Sequence, residues 1–156
     1  MAENFRNLQV NRVKTYEEFP VQHLMDQGMF RTGKDLMVFA SLVGLSEGRR
    51  KPLDKQATTQ IFMHVYQTDA MDGFIYLAAL AETKNIQCIA TENVRESVKI
   101  FEEYCNGGLE IIKSWLEDNP TDVSGIDTIF DKISEKLTDK KIIMNVDNAG
   151  LEIELD

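Results

Sequence analysis

Residues 29–53 read MFRTGKDLMVFASLVGLSEGRRKPL, an apolar segment framed by Thr32-Gly33-Lys34 on one side and Gly48-Arg49-Arg50-Lys51-Pro52 on the other. Thr32 has the side chain of a helix N-cap, and Leu36, Met37, Phe39, Ala40 and Val43 recur at the spacing of one helix face. Gly44 stands near the expected end, and Pro52 lies where a helix has already stopped. A helix this apolar needs partners, so the segment commits the chain to a core built from helices.

Upstream, Thr15-Tyr16-Glu17-Glu18 has the form of a capping box, and Gly28 supplies a left-handed stop after Val21, Leu24 and Met25. Downstream, residues 59–66 fit either helix or strand, because β-branched and aromatic side chains are present but alternate poorly. Residues 69–84 are apolar around most of the helical circumference, which predicts a central, nearly enclosed helix. Thr91-Glu92 opens another, with Val94, Val98, Phe101 and Cys105 on one face. Asn106-Gly107-Gly108 then reads as either a kink or a turn before the helical pattern resumes over 109–115.

After Pro120, Thr121 or Asp122 can cap the clearest amphipathic helix, carrying Val123, Ile126, Ile129, Phe130, Ile133 and Leu137. The period then changes: residues 142–146 and 151–155 read as strands around Asp147-Asn148-Ala149-Gly150. The expected fold is α+β and predominantly α-helical, a single compact domain over 1–156. Residues 1–11 are expected to be loosely held, and a C-terminal β-hairpin at 141–155 is expected to pack on the helices. An exposed edge at 151–155 would let a second copy pair there, giving a homo-oligomer.

The chain has 156 residues, 43% apolar and 28% charged, enough for one core and too few for two comfortable ones. The opening MAENFRNLQVNRVK lacks the apolar centre of a signal peptide, and no apolar run approaches the ~18 residues of a spanning helix. These features predict a cytoplasmic protein with no membrane partner. Cys88 and Cys105 read as buried small apolar groups rather than a disulfide. A net charge of −9 opposes sequence-blind nucleic-acid binding by the whole surface. The charge is polarised, however: residues 1–60 carry 9 Lys and Arg against 7 Asp and Glu, and residues 61–156 carry 8 against 19.

No reaction centre is legible. Gly33-Lys34 and Gly107-Gly108 lack the spacing of a phosphate-binding loop, and His23 and His64 stand in no cluster with zinc-ligand spacing. Cys105 belongs to an apolar stripe, which favours packing over nucleophilic chemistry. Asp72 with Glu82-Thr83-Lys84 resembles the metal-binding set of a nuclease, yet along a helix Asp72 and Glu82 lie ~15 Å apart by rise, too far to share an ion. The expectation is a non-enzyme with no catalytic, cofactor or metal residues. For binding, Arg31, Lys34, Arg49, Arg50 and Lys51 bracket the Thr32-capped helix, and planar guanidinium donors suit phosphates or an acidic protein surface. The competing reading is a solvated turn whose charges offset the acidic half.

The run over residues 28–40, followed by Gly44 and Arg49-Arg50-Lys51-Pro52-Leu53, resembles a small family of proteins associated with bacterial DNA-phosphorothioation (dnd) systems. Phe74-Ile75, Leu77-Ala78, Leu80-Ala81 and the run Phe101-Glu102-Glu103-Tyr104-Cys105-Asn106-Gly107-Gly108-Leu109 are similar to its later blocks. Cys105 stands where a small residue such as alanine is expected. The resemblance covers about residues 12–118. It implies an accessory protein of DNA modification or anti-phage defence, without established catalytic residues. The expected function is non-catalytic, accessory or regulatory, binding DNA or a system partner. The alternatives are an acidic protein-binding module or nucleic-acid mimic and, more remotely, a metal-dependent nuclease.

Overall fold

Thr32 caps the helix that its side chain predicts. In a computed structural model, which describes residues 5–148, its backbone is extended and its hydroxyl accepts a hydrogen bond from the Asp35 N–H at 3.2 Å. Eight elements follow one another: β1 (Gln9–Val13), α1 (His23–Asp26), α2 (Gly33–Ser46), β2 (Thr58–Phe62), α3 (Met63–Thr68), α4 (Asp72–Thr83), α5 (Val94–Asp118) and α6 (Ile126–Asn148). Short helical turns join several of them.

The stop of α2 is local chemistry. Gly48 adopts a φ of +63°, its N–H bonds to Leu45 O at 3.2 Å, and the Arg49 N–H reaches back to Gly44 O at 2.8 Å. This paired arrangement satisfies carbonyls that the last turn would leave open. Gly44 therefore lies inside the helix, and its role is different. A methyl group there would sit 2.2 Å from the Tyr104 carbonyl oxygen on α5. From the α5 side, a Cβ on Gly108 would fall 1.7 Å from Ala40 O, and one on Gly107 would fall 2.0 Å from Arg49 O.

Gly44 and Gly108 thus let the backbones of α2 and α5 touch, Gly107 admits the turn that follows α2, and α2 against α5 is the most extensive helix pair among the described residues. The Asn106-Gly107-Gly108 interruption is absent: α5 runs unbroken for 25 residues. Around this crossing lie two apolar clusters. One joins Met37, Met63, Tyr66, Ile75 and Phe101, with the Tyr66 and Phe101 rings edge to face at 5.8 Å. The other joins Leu24, Leu36, Ala40, Leu109, Ile112 and Ile129.

The expected C-terminal β-hairpin is corrected. Residues 141–148 belong to α6, and 151–155 lie outside the described residues. No Gly or Pro interrupts residues 126–148, and extending an existing helix adds one hydrogen bond per residue fixed, whereas a strand there needs a partner. The sheet lies instead on the N-terminal side, where β1 and β2 pair antiparallel with Val13 opposite Thr58 and Gln9 opposite Phe62. Residues 59–66 hold both alternatives, a strand to Phe62 and a helix from Met63.

Two smaller expectations also change. Thr15 is no capping residue: it lies inside a 3-10 turn at Lys14–Tyr16, its hydroxyl donates to Gln56 Oε1 at 2.9 Å, and the extended backbone of Phe19 separates that turn from the helical residues that lead into α1. α4 buries Ile75, Ala78 and Ala79 but leaves Leu77 and Leu80 exposed, so the enclosed central helix is α5.

Candidate functional site: a basic turn closed over acidic helices

The Schellman-type stop of α2 throws residues 49–51 across α5. The Lys51 N–H donates to Glu103 O at 3.0 Å, and Asn106 Nδ2 donates to the Lys51 and Pro52 carbonyls at 3.2 and 3.1 Å. With the backbone anchored, the three cations meet three carboxylates. Arg49 grips Glu110 Oε2 through Nε and a terminal nitrogen at 2.8 and 2.7 Å. Lys51 takes the other oxygen of Glu110 at 3.0 Å and donates to the Tyr16 hydroxyl at 3.1 Å. Arg50 spans two helices, with Nε on Glu103 Oε2 at 2.6 Å and a terminal nitrogen on Glu82 Oε1 at 2.9 Å. The Tyr104 hydroxyl donates to the second oxygen of Glu82.

The titration of these groups follows from the bonds. Donation by Tyr104, then by Arg50, holds the Glu82 carboxyl below the usual range, and Lys51 and Arg49 do the same to Glu110. Burial opposes the charge on Arg50, but Glu103 and Glu82 outweigh it and its pKa is raised. Three positive and three negative charges close on one another, a network rather than isolated pairs.

The other basic candidates stand apart. Lys34 is buried, 3% exposed, and pairs with Asp69. Arg31 is exposed, immediately before the N-cap of α2. Of the five, the structure brings only Arg49, Arg50 and Lys51 together. The sequence does not mark Glu82, Glu103, Glu110, Tyr16 or Tyr104 as partners of the basic turn; Glu82 stands out there only beside Asp72, as a metal-ligand pair set too far apart. Glu103 and Glu110 are seven residues apart on one helix with Gly107 between them, a spacing that puts both on the face the turn crosses.

Asp72 and Glu82 stand at opposite ends of α4, and among the described residues no group of three or more His, Cys, Asp or Glu is placed to hold a metal ion. Cys88 and Cys105 are free and buried, and the Cys105 thiol donates to Met37 O at 3.0 Å. Among the described residues no helix is long and apolar enough to cross a membrane.

A cleft of about 650 Å³ lies beside the turn, lined in part by Asn11, Thr58, Lys99 and Glu102. Burial pushes the Glu102 carboxyl up to about 7, although it accepts the Asn11 N–H at 2.7 Å. The folded chain therefore keeps a proton that the unfolded chain has lost, and stability from this group falls as pH rises from about 4.5 to about 7. Glu102→Gln keeps an acceptor for Asn11 and removes that cost. It is expected to raise stability at pH 8 by on the order of 1 kcal/mol and to leave pH 5 nearly unchanged, read from urea midpoints at both pH values.

No curated protein and no solved structure matches the chain. A family model, DNA sulphur modification system-associated protein 4, matches residues 10–149, from the second residue of β1 to just beyond α6. That span contains the glycine crossing, the basic turn and all three of its carboxylates, and the chain belongs to this family of proteins associated with DNA sulphur modification systems.

Proposed function

We propose that the chain is a non-catalytic accessory protein of a DNA sulphur modification system, serving anti-phage defence by contact with another protein of that system. The observation carrying this reading is the use of the basic turn: Arg49, Arg50 and Lys51 are bonded to Glu82, Glu103 and Glu110 of their own fold. Phosphates would have to displace those carboxylates, on a chain of net charge −9. Family membership supplies the setting.

The test is co-expression of the tagged chain with each other protein of its system, followed by purification at physiological ionic strength. One partner is expected to co-elute in fixed stoichiometry, and retention of none would overturn the reading. A second reading, DNA contact, is favoured by the exposure of Arg31 and by Arg49, whose side chain is 52% exposed. The two readings part in a salt series of DNA binding.

A further inference from the structure

α6 carries apolar side chains on two faces. Ile129 is fully buried in the cluster that contains Leu109 and Ile112, and Ile133 packs against that cluster. Ile126, Phe130 and Leu137 are left 38%, 67% and 58% exposed. With Ile133 they recur at intervals of four, three and four residues, the alternation of a helix that pairs with another helix. Beside them Ile133 and Leu137 form a groove of about 330 Å³ with Phe39, Leu42 and Val43 of α2. Single exposed apolar residues are ordinary on a protein surface, but a contiguous seam marks a contact.

Charge identifies the occupant. Asp127 and Asp131 directly follow Ile126 and Phe130, and both are exposed without an ion-pair partner among the described residues. The nearby lysines are engaged, Lys132 with Glu135 and Lys136 with Glu47. A second copy would bring the same carboxylates and another net charge of −9. The complement is a helix whose apolar seam is bordered by Lys or Arg, laid into the groove as amphipathic helices are.

We infer that the outer face of α6, with the α2 groove, docks a basic amphipathic helix of another protein; this rests on the protein-contact reading above. The probe is a labelled synthetic helix with leucine at the seam positions and lysine beside them, titrated against the full chain by fluorescence anisotropy. A matched peptide with glutamate in place of lysine is the control. The wild type is expected to bind the basic peptide at least tenfold more tightly than the acidic one. Phe130→Ser/Leu137→Ser should weaken binding at least tenfold, and its unchanged circular dichroism would establish folding. Asp127→Asn/Asp131→Asn should bind more weakly and with a flatter salt dependence. Equal binding by the serine variant, equal binding of the acidic peptide, no binding by the wild type, or a wild-type dimer that the serine variant dissolves would each overturn the inference. A system partner that co-purifies equally with wild type and serine variant would overturn this surface and keep the protein-contact reading. A wild type that retains no partner removes that reading, while the peptide titration stands by itself.

Discussion

Gly108→Ala is expected to be the most damaging single methyl group in the protein. Its Cβ would lie 1.7 Å from Ala40 O, and a helix backbone cannot turn aside as the end of a flexible side chain can. Relief requires α2 and α5 to separate, which opens gaps on both sides of the fold because the two apolar clusters flank that crossing. Alanine improves helix propensity by about 1 kcal/mol over glycine, but overpacking of this severity costs ~3 kcal/mol or more, so a net loss of at least ~2 kcal/mol is expected. Gly73→Ala is the internal control. Gly73 lies in the first turn of α4 with nothing near its Cβ position, and the same substitution there should be neutral or stabilising by up to ~1 kcal/mol. Denaturant midpoints of the two variants measure the difference, and equal stability would mean that α2 and α5 do not cross at these glycines.

The second large effect is expected from Arg50→Ala. Glu103 has a side chain 9% exposed, and its carboxylate is deprived of the guanidinium at 2.6 Å, while Glu82 keeps only one of its two donors. Removing one partner of a fully buried pair costs about 3–5 kcal/mol; Arg50 is 28% exposed, so solvent screens part of this and about 2 kcal/mol is expected. The pH dependence has a definite sign. The depressed carboxyls of Glu82 and Glu110 contribute stability above their ordinary range, and it is lost as pH falls through their folded values. Arg50 bonds Glu82 and not Glu110, so Arg50→Ala should lose less of the Glu82 part of this stability on acidification than the wild type does, measured as urea midpoints from pH 7 down to well below 4.5, where the loss falls.

The sequence discloses what is decided locally. Thr32 and Gly48 sit within a turn of the backbone groups they satisfy, so the limits of α2 can be read from side-chain type and conformational freedom. Pairings across long intervals cannot be read in this way. Arg50 meets Glu103 53 residues away, Arg49 meets Glu110 61 residues away, and β1 finds β2 beyond the whole of α2. Composition is enough to find the basic residues, but their carboxylates depend on the crossing that the glycines create. Gly107 and Gly108 are ambiguous in sequence because a glycine pair serves a kink, a turn or a close approach equally well, and only the neighbouring backbone distinguishes these. Residues 142–146 mislead for another reason: a short apolar run has strand character alone, but here it continues a helix already 16 residues old. The apolar stripe of α6 is visible, but periodicity does not say which side faces the core; Ile129 turns inward and Phe130 outward.

The most direct test of whether the basic turn serves the fold rather than DNA is the affinity of the full chain for duplex DNA over a salt series, with Arg49→Ala/Arg50→Ala beside the wild type. Internal use of these arginines predicts weak binding with the same salt slope in both proteins, at a temperature where circular dichroism shows both folded. Tight wild-type binding whose log–log salt slope flattens by about 2 in the double variant, close to one unit for each phosphate an arginine would neutralise, would contradict it.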